Sequence, residues 1–168
     1  SRVLPVSEGL AQTAQVRLSV DTSNAVVARA ALDAGASIIN DVTGGRADAE
    51  MFALAAEKGA ALIIMHMQGT PQSMQTNPTY RDVVAEVADF FRQQYELAVR
   101  SGIDPTCLAF DPGLGFGKTV AHNLELLDHM ETLRIHYRRH VVVDSRQSFR
   151  AQPPPPTDDN ETEPVALN

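Results

Sequence analysis

Cysteine is almost absent from this sequence of 168 residues, in which Cys107 is the only one. A single cysteine cannot form an internal disulfide, so no disulfide framework is expected and a reducing cytoplasm is the compartment that fits best. Cys107 comes directly before a short apolar run. We therefore interpret it as a small buried side chain ahead of a strand rather than as a reactive thiol.

Long apolar runs and an excess of positive charge are also missing. The apolar runs are far shorter than the roughly 20 residues that a membrane span needs, and no basic-then-apolar signal segment opens the chain. The formal net charge is -7, which argues against a nucleic-acid partner. With 43% hydrophobic and 21% charged residues, the composition is ordinary for one globular domain, and we expect neither a nucleic-acid nor a membrane partner.

Two nucleotide-binding fingerprints are missing as well. Gly117-Lys118-Thr119 looks like the end of a P-loop, but the pattern G-x-x-x-x-G-K-[ST] would place its first glycine where Pro112 stands. The alternating glycines at 113, 115 and 117 do not fit the G-x-G-x-x-G spacing either. Neither a P-loop nor a dinucleotide fold is therefore predicted.

The most informative stretch covers residues 108–119. A short apolar run ends at Asp111, and a Pro-Gly-x-Gly-x-Gly loop follows at once. This pattern is typical of a buried strand that presents a carboxylate at its C-terminal edge, with glycines that let a flat ligand approach the backbone. A plain turn that uses the acid as a cap is the alternative, because proline and glycine suit turns equally well.

Strand and helix patterns alternate along the chain. The predicted strands are 16–20, 37–39, 61–65, 108–110 and 141–143, and the predicted helices are 2–12, 25–33, 48–58, 80–100 and 121–133. A polar loop is expected over 68–79. Strict alternation of this kind predicts a parallel sheet covered by helices.

Two architectures have this alternation, an open doubly wound sheet and a (β/α)₈ barrel. The predicted strands lead into polar or sulfur-containing residues, as catalytic barrels do: Asp21, Asn40, His66 or Met67, Asp111 and Ser145. A barrel typically needs about 250 residues. We therefore predict an α/β fold of the TIM-barrel type, incomplete with about five βα units over residues 1–151. Residues 152–168 are rich in proline and acid and predict a disordered tail.

Five segments in order resemble the dihydropteroate synthase family: residues 18–22, 38–41, 65–71, 110–118 and 145–149. The resemblance covers about residues 2–149. It implies a TIM-barrel transferase of folate biosynthesis that joins hydroxymethyl-dihydropterin diphosphate to para-aminobenzoate and releases pyrophosphate with the help of Mg²⁺. The family commonly forms dimers through its outer helices, so a homodimer is expected.

The resemblance also implies roles for the residues at the strand ends. A pterin ring offers two adjacent N–H donors, which a buried carboxylate accepts as a charge-assisted pair, and Asp111 resembles that anchor. Asn40, whose amide both donates and accepts, and Asp21 resemble further pterin contacts. Met67 resembles part of the pocket wall. The reaction requires no obvious general base, so no catalytic residue is assigned, and the protein would act by orientation and charge stabilisation.

Two further segments are assigned by the same resemblance. Gly115 and Phe116 resemble the side on which para-aminobenzoate lies. Gln147 and Ser148 stand in the family's Ser-Arg-Lys-Ser motif, where Gln147 replaces the lysine that donates to the pterin. Because a charged hydrogen bond contributes about 1.5–3 kcal/mol against about 1 for a neutral one, weaker pterin binding is expected. Val143 also stands where the family has a glycine.

Structural interpretations remain open for several of these residues. Helix capping is the alternative for Asp21 and Asn40, since a helix follows each. His66 is interpreted as a packed, hydrogen-bonded loop histidine, and Met65 and Met67 are typical core-filling residues. Two other acids are left as capping or supporting candidates: Asp41 and Asp144.

The resemblance leaves out both ends of the family's barrel. The first two strands, which carry the Mg²⁺-binding asparagine and a glycine-rich loop for diphosphate and para-aminobenzoate, would precede residue 1, and the tail stands in place of the last strand. The isolated chain is therefore expected to be inactive. Two other functions are left open, a degenerate non-catalytic pterin-binding module and a methyltetrahydrofolate-type methyltransferase of the same barrel family.

Overall fold

Strands and helices alternate throughout the computed structural model, which describes residues 17–70, 73–74, 76–133 and 139–140. The strands of this part of the chain are β1 (Ser19–Asp21), β2 (Ile38–Asp41), β3 (Ala61–Met65), β4 (Leu108–Asp111) and β5 (Arg139–His140). The helices are α1 (Ala25–Asp33), α2 (Met51–Lys58), α3 (Val83–Arg100) and α4 (Val120–Asp128), and a 3₁₀ turn, Pro105–Cys107, precedes β4.

All strand pairings are parallel, and the spatial order of the sheet is β1-β2-β3-β4-β5. A doubly wound sheet reverses its strand order at a switch point, whereas a barrel adds each strand beside the one before it. The strand order therefore confirms an incomplete sheet of the barrel type and excludes the doubly wound alternative for these strands.

The helix ends follow from capping chemistry. Asn24 accepts a hydrogen bond from Val27 N at the start of α1 and caps this helix, whose bounds confirm the predicted helix 25–33. The predicted helix 80–100 begins three residues later, because Asp82 is extended and accepts from Ala85 N at 2.8 Å. Thr119 and His122 form a reciprocal capping box at the start of α4.

Other predicted boundaries need correction. The helix predicted over 48–58 begins at Met51, because Asp48 accepts from Ala25 N at 2.7 Å and so binds the start of α1 instead. Helix α4 ends at Asp128 rather than at 133, and β4 extends to Asp111. The predictions for 2–12, 141–143 and 152–168 lie outside the described residues.

The two faces of the sheet differ in burial. One face packs against the helices and is apolar, with Ile39, Leu62, Ile64 and Phe110 fully buried, and Phe110 contacts Phe91 of α3 at 5.0 Å between ring centroids. Burying a side chain of this size stabilises the fold by about 1.5–3 kcal/mol. On the opposite face, called the inner face below, several side chains stay partly accessible: Ile38, Asn40, Ala61, Ile63 and Ala109. The inner face is the one that a barrel closes around.

Helix α3 is the longest described helix, with 18 residues. None of the helices in the described ranges combines the length and the apolar character needed to cross a bilayer. Cys107 is partly buried at the end of the 3₁₀ turn before β4, so the interpretation of a small packed side chain holds only in part.

Candidate ligand-binding site at the carboxyl ends of the strands

Asp21 and Asn40 are register partners on β1 and β2, and both project from the inner face. Asn40 Nδ2 donates to Asp21 Oδ1 at 3.0 Å. Asn40 Oδ1 is buried and has no hydrogen-bond partner within the described part of the chain. A buried acceptor without a partner costs about 1–3 kcal/mol, so this oxygen is suited to receive an N–H from a ligand.

Asp41 projects to the helix side of the sheet and has a different role from its neighbour Asn40. Asp41 is fully buried, its Oδ1 accepts from Thr43 N and Thr43 Oγ1, and its Oδ2 accepts from Gly45 N at 2.8 Å. The carboxylate therefore shapes the turn after β2. This confirms the capping interpretation of Asp41, with a turn in place of a helix.

Asp111 ends β4 and lies on the same face as Asn40. Asn40 is in register with Ile63, Ile63 with Ala109, and Asp111 stands two residues beyond Ala109, which returns it to the inner face. Its carboxylate is 1% exposed, and Oδ1 accepts from Gly113 N at 2.7 Å. The expected position of a buried acid at the C-terminal edge of a strand is confirmed.

The loop of residues 113–117 lies directly on the end of β3. Gly113 has φ +64°, and a Cβ there would stand 2.1 Å from His66 O. Gly117 has φ +63°, and a Cβ there would stand 2.8 Å from Gln68 O. Only glycine permits both the left-handed backbone and this close approach, so these two glycines seat the loop against the segment after β3.

The middle of the same loop holds the two residues assigned to the para-aminobenzoate side. Gly115 N donates to Asn123 Oδ1 of α4 at 3.0 Å, and Phe116 N donates to Gly113 O at 3.0 Å. The Phe116 side chain is half-buried, and Asn123 is 4% exposed. The loop is thus held by hydrogen bonds of its own N–H groups, while Phe116 stays partly accessible.

Met67 is 1% exposed, so its side chain belongs to the packed interior, as the core-filling interpretation states. Its carbonyl oxygen accepts from Arg46 Nη2 at 2.6 Å, and the Arg46 guanidinium lies 5.2 Å from the centre of the Phe90 ring. Burial among these groups lowers the pKa of Arg46. Tyr80 Oη donates to Gly117 O at 2.7 Å and joins the start of the α3 region to the glycine loop.

Lys118 is a functional candidate that was not predicted: the lysine ends the family-like segment 110–118 and resembles a P-loop ending, but no role was assigned to it. The side chain is 1% exposed, and Nζ lies 3.1 Å from His66 Nδ1. Burial lowers the pKa of Lys118 to about 7, against the opposing effect of the negative charge of Asp111. No pattern in the sequence distinguishes this buried lysine from a surface lysine.

His66 is buried beside that ammonium, and its ring packs edge-on against Phe90 at 5.0 Å. Burial, then the charges of Lys118 and Arg46, lower the pKa of His66 to about 3. The ring is therefore neutral near pH 7, and Nδ1 can accept from Lys118. The interpretation of a packed, hydrogen-bonded histidine is confirmed.

Gln147, Ser148 and Asp144 lie outside the described residues. Within the ranges that the structure describes, no group of three or more His, Cys, Asp or Glu side chains could hold a metal ion. The described site residues therefore do not by themselves fit a Mg²⁺ centre.

In comparisons with known proteins, the matching family model and the similar proteins agree with each other. The family model described as "Pterin binding enzyme" matches residues 1–166. The dihydropteroate synthase of Synechocystis sp. is 39% identical over 148 residues, which cover 88% of this chain and 51% of that protein. The chain thus spans about half the length of the curated relatives it matches.

Solved structures agree with the strand order. The chain is similar to a Yersinia pestis dihydropteroate synthase solved in complex with a sulfonamide drug, with TM-score 0.80 and 42% identity over 84% of this chain and 51% of the other. It is also similar to the Thermus thermophilus enzyme, solved with 6HMPPP and with 4-aminobenzoate. Both comparisons give TM-score 0.77 and 42% identity over 83% of this chain, and cover 54% and 53% of the other chain respectively.

Proposed function

The chain belongs to the pterin binding enzyme family, and on that premise we propose that it forms part of a dihydropteroate synthase. The proposed reaction joins hydroxymethyl-dihydropterin diphosphate to para-aminobenzoate. The C–O bond to the diphosphate breaks, the amine nitrogen forms a C–N bond and gives up a proton, and pyrophosphate leaves. Relatives of about twice this length carry that name, and two T. thermophilus structures hold 6HMPPP and 4-aminobenzoate respectively.

One observation carries the proposal for this chain's own residues. Asn40 Oδ1 is a buried acceptor without a partner in the described part of the chain, and it projects from the same sheet face as the Asp111 carboxylate. A pterin edge is rich in N–H donors, which an amide oxygen and a carboxylate accept together. Asp111 would anchor the ring, Asn40 would accept a further N–H, and Asp21 would hold the Asn40 amide in orientation.

Other residues complete the proposed pocket. Phe116 and Gly115 would flank para-aminobenzoate, because the phenyl ring is half-buried on a loop that begins two residues after Asp111. Met67 would close the wall beneath the pterin. Gln147 and Ser148 remain proposed pterin contacts, with Gln147 as a neutral donor where the family has a lysine.

The contribution of these residues is binding and orientation. A ring held by Asp111 and Asn40 and an amine held near Phe116 would be oriented for attack, which is worth a large part of the barrier in a two-substrate reaction. Mg²⁺ stays a proposed cofactor of the longer protein, where it would neutralise the diphosphate. None of these roles depends on the metal.

The oligomeric state and the location of the protein are also proposed from the family. A homodimer through outer helices and a cytoplasmic location are proposed, the second supported by the single cysteine. A dimer would be seen as twice the expected mass by light scattering of the purified protein. A monomer over the accessible concentration range would count against it.

The test is a fluorescence titration of the purified chain with a dihydropterin. Saturable binding is expected, and Asp111→Asn, which keeps the shape but removes the charge, is expected to weaken it about 10- to 150-fold, the equivalent of about 1.5–3 kcal/mol. The matched control is Asp89→Asn on the exposed surface of α3, which should leave the affinity unchanged. Equal weakening by both variants, or no binding by a folded chain, would contradict the proposal.

A non-catalytic pterin-binding module is the second candidate, and Gln147 in place of the family lysine favours it. Both candidates predict dihydropterin binding, and both predict that the 168-residue chain alone makes no dihydropteroate. The two candidates predict different results for the variant Gln147→Lys, introduced into the longest reading frame that contains this chain. A rise in dihydropteroate formation from a measurable starting level supports the synthase, whereas no product with either residue supports the module.

A further inference from the structure

The ammonium of Lys118 lies at the meeting point of two loops. Its Nζ is 3.2 Å from His66 O in the segment after β3, and 3.1 Å and 3.0 Å from Gly113 O and Phe116 O in the loop after β4. His66 Nδ1 is a fourth neighbour at 3.1 Å. One cation therefore binds main-chain oxygens of both segments.

Burying an ammonium group lowers the stability of a fold unless its N–H donors make hydrogen bonds there. The side chain is 1% exposed, and burying a charge is unfavourable unless hydrogen bonds compensate it. Lysine has three N–H donors, which are shared among three carbonyl oxygens and His66 Nδ1. An apolar side chain could fill the same space without that cost, but it could not hold three carbonyl oxygens together.

The bonded oxygens bracket the middle of the loop of residues 113–117. Gly113 O and Phe116 O stand at the two ends of the loop that carries Gly115 and the half-buried Phe116 ring. Gly113 also donates its N–H to Asp111 Oδ1, so the position of Gly113 sets the position of that carboxylate. The same cation thus fixes the anchor acid and the aromatic residue relative to each other.

We propose that Lys118 is a positioning residue of this site: its ammonium fixes the loop of residues 113–117 against the end of β3 and so sets the separation between Asp111 and Phe116. Lys118 is 1% exposed and would act through the loop rather than on a substrate. The inference that this separation matches a pterin beside para-aminobenzoate rests on the proposed function. The inference that Lys118 fixes the loop does not depend on the proposed function.

The experiment is amide hydrogen exchange on the purified 168-residue chain at pH 6, below the pKa of about 7 that burial gives Lys118. The reporters are the amides of Gly113, Gly115 and Phe116, each of which has an acceptor in the structure. Lys118→Met keeps the length and removes the ammonium. We expect at least tenfold faster exchange at these three amides, with unchanged exchange in β3.

The matched control is Lys58→Met, which removes a partly exposed lysine bound to Asp33 at the helix surface. It should leave the loop amides as in the wild type. Loop exchange within twofold of the wild type in Lys118→Met overturns the proposal. A wild-type loop that shows no protection at all overturns it too, since the loop would then not be fixed.

A second variant covers the case in which Lys118→Met loses protection in β3 as well. Lys118→Gln keeps two N–H donors without the charge and is expected to restore β3 while leaving the loop amides faster than in the wild type. Loss of β3 protection in this variant too would assign Lys118 to the stability of the whole fold and overturn a role specific to the site.

Dihydropterin titration of the same variants separates this proposal from the proposed function. Affinity is expected to fall at least fivefold in Lys118→Met and to recover in part in Lys118→Gln. No binding by the wild type, with the expected exchange pattern, would contradict the function and leave the fixing of the loop intact. Unchanged loop exchange in Lys118→Met, with normal dihydropterin binding by the wild type, would contradict the fixing of the loop and leave the proposed function intact.

Discussion

Asn40 and Asp21 are joined across β1 and β2 by a hydrogen bond of 3.0 Å, in which the Asn40 amide nitrogen donates to the carboxylate. That bond fixes the orientation of the amide and directs Oδ1 away from Asp21. The oxygen is buried, and no described residue supplies it with a donor. A fold that retains such an acceptor loses stability there, which is characteristic of binding sites.

Replacement of Asn40 by leucine should therefore separate binding from stability. Asn40→Leu removes a buried acceptor without a partner in the described part of the chain, which favours the folded state, and also the exposed bond of Nδ2 to Asp21, which opposes this gain. The free energy of unfolding is therefore expected to change by no more than about 1 kcal/mol. Dihydropterin affinity is expected to fall about tenfold, because the accepted N–H loses its partner. Urea denaturation and fluorescence titration on the same samples measure the two effects.

Asn123→Leu is the matched control, because Asn123 is also a buried asparagine but its Oδ1 accepts from Gly115 N. Here the free energy of unfolding should fall by about 1–3 kcal/mol, since a satisfied bond is lost. A loss of clearly more than about 1 kcal/mol in Asn40→Leu, beyond what the exposed Asp21 bond accounts for, would show that Asn40 Oδ1 has a partner in the folded protein. Asn40 Oδ1 would then not be available to a ligand N–H.

Gly113 should be far more sensitive to alanine than a glycine of similar backbone conformation in open space. Gly59 has φ +59°, and nothing lies within 4 Å of a Cβ there, so Gly59→Ala should cost about 1–2 kcal/mol for the left-handed backbone alone. Gly113→Ala adds a contact of 2.1 Å with His66 O, and we expect a total cost of about 3 kcal/mol or more. Thermal unfolding of the two variants gives the difference, and equal costs would show that the loop can move away from β3.

Local signals in the sequence predicted much of the fold. Strand β3 and helix α1 have the predicted bounds, because an apolar run before His66 and a cap at Asn24 are local features. Asp111 was placed at the end of β4 for the same kind of reason, since an apolar run, an acid and a glycine loop follow one another directly.

Features that depend on tertiary contacts could not be predicted in this way. Asn40 and Asp41 are adjacent polar residues that only the family resemblance and a general capping preference separated. The register of β2 supplies the physical reason, since Asn40 faces the inner side and Asp41 faces the helices and shapes a turn. Asp48 appeared to belong to α2, but it binds the start of α1, 23 residues earlier. Lys118 was missed because its main partner, His66, is 52 residues away.

His66 should make the protein sensitive to acid. Its pKa is about 3 in the fold against about 6.5 when unfolded, so between these values the unfolded chain binds a proton that the folded chain does not. Stability should therefore fall as the pH drops from 6.5 towards 3, by up to about 1.4 kcal/mol per pH unit. Urea titrations at about pH 4, 5 and 6 should show a shallower slope in His66→Gln. An unchanged slope in His66→Gln would contradict a buried neutral ring.

Deprotonation of Lys118 should change the stability of the fold at alkaline pH. Its pKa is about 7 in the fold against about 10.5 when unfolded, so between these values the unfolded chain again holds the extra proton. Stability should therefore rise from pH 7 towards about 9.5 by up to about 1.4 kcal/mol per unit, as the buried ammonium loses its charge.

Denaturation is best measured below about pH 10, because burial raises the pKa of Tyr80 and ionisation of the unfolded tyrosine would oppose the rise at higher pH. The part of the rise due to Lys118 should vanish in Lys118→Met and persist in Lys58→Met. If the wild type and Lys118→Met gain stability in parallel over this range, the ammonium keeps its ordinary pKa. The carbonyl oxygens of residues 66, 113 and 116 would then compensate its burial fully, and the loop would stay fixed at alkaline pH.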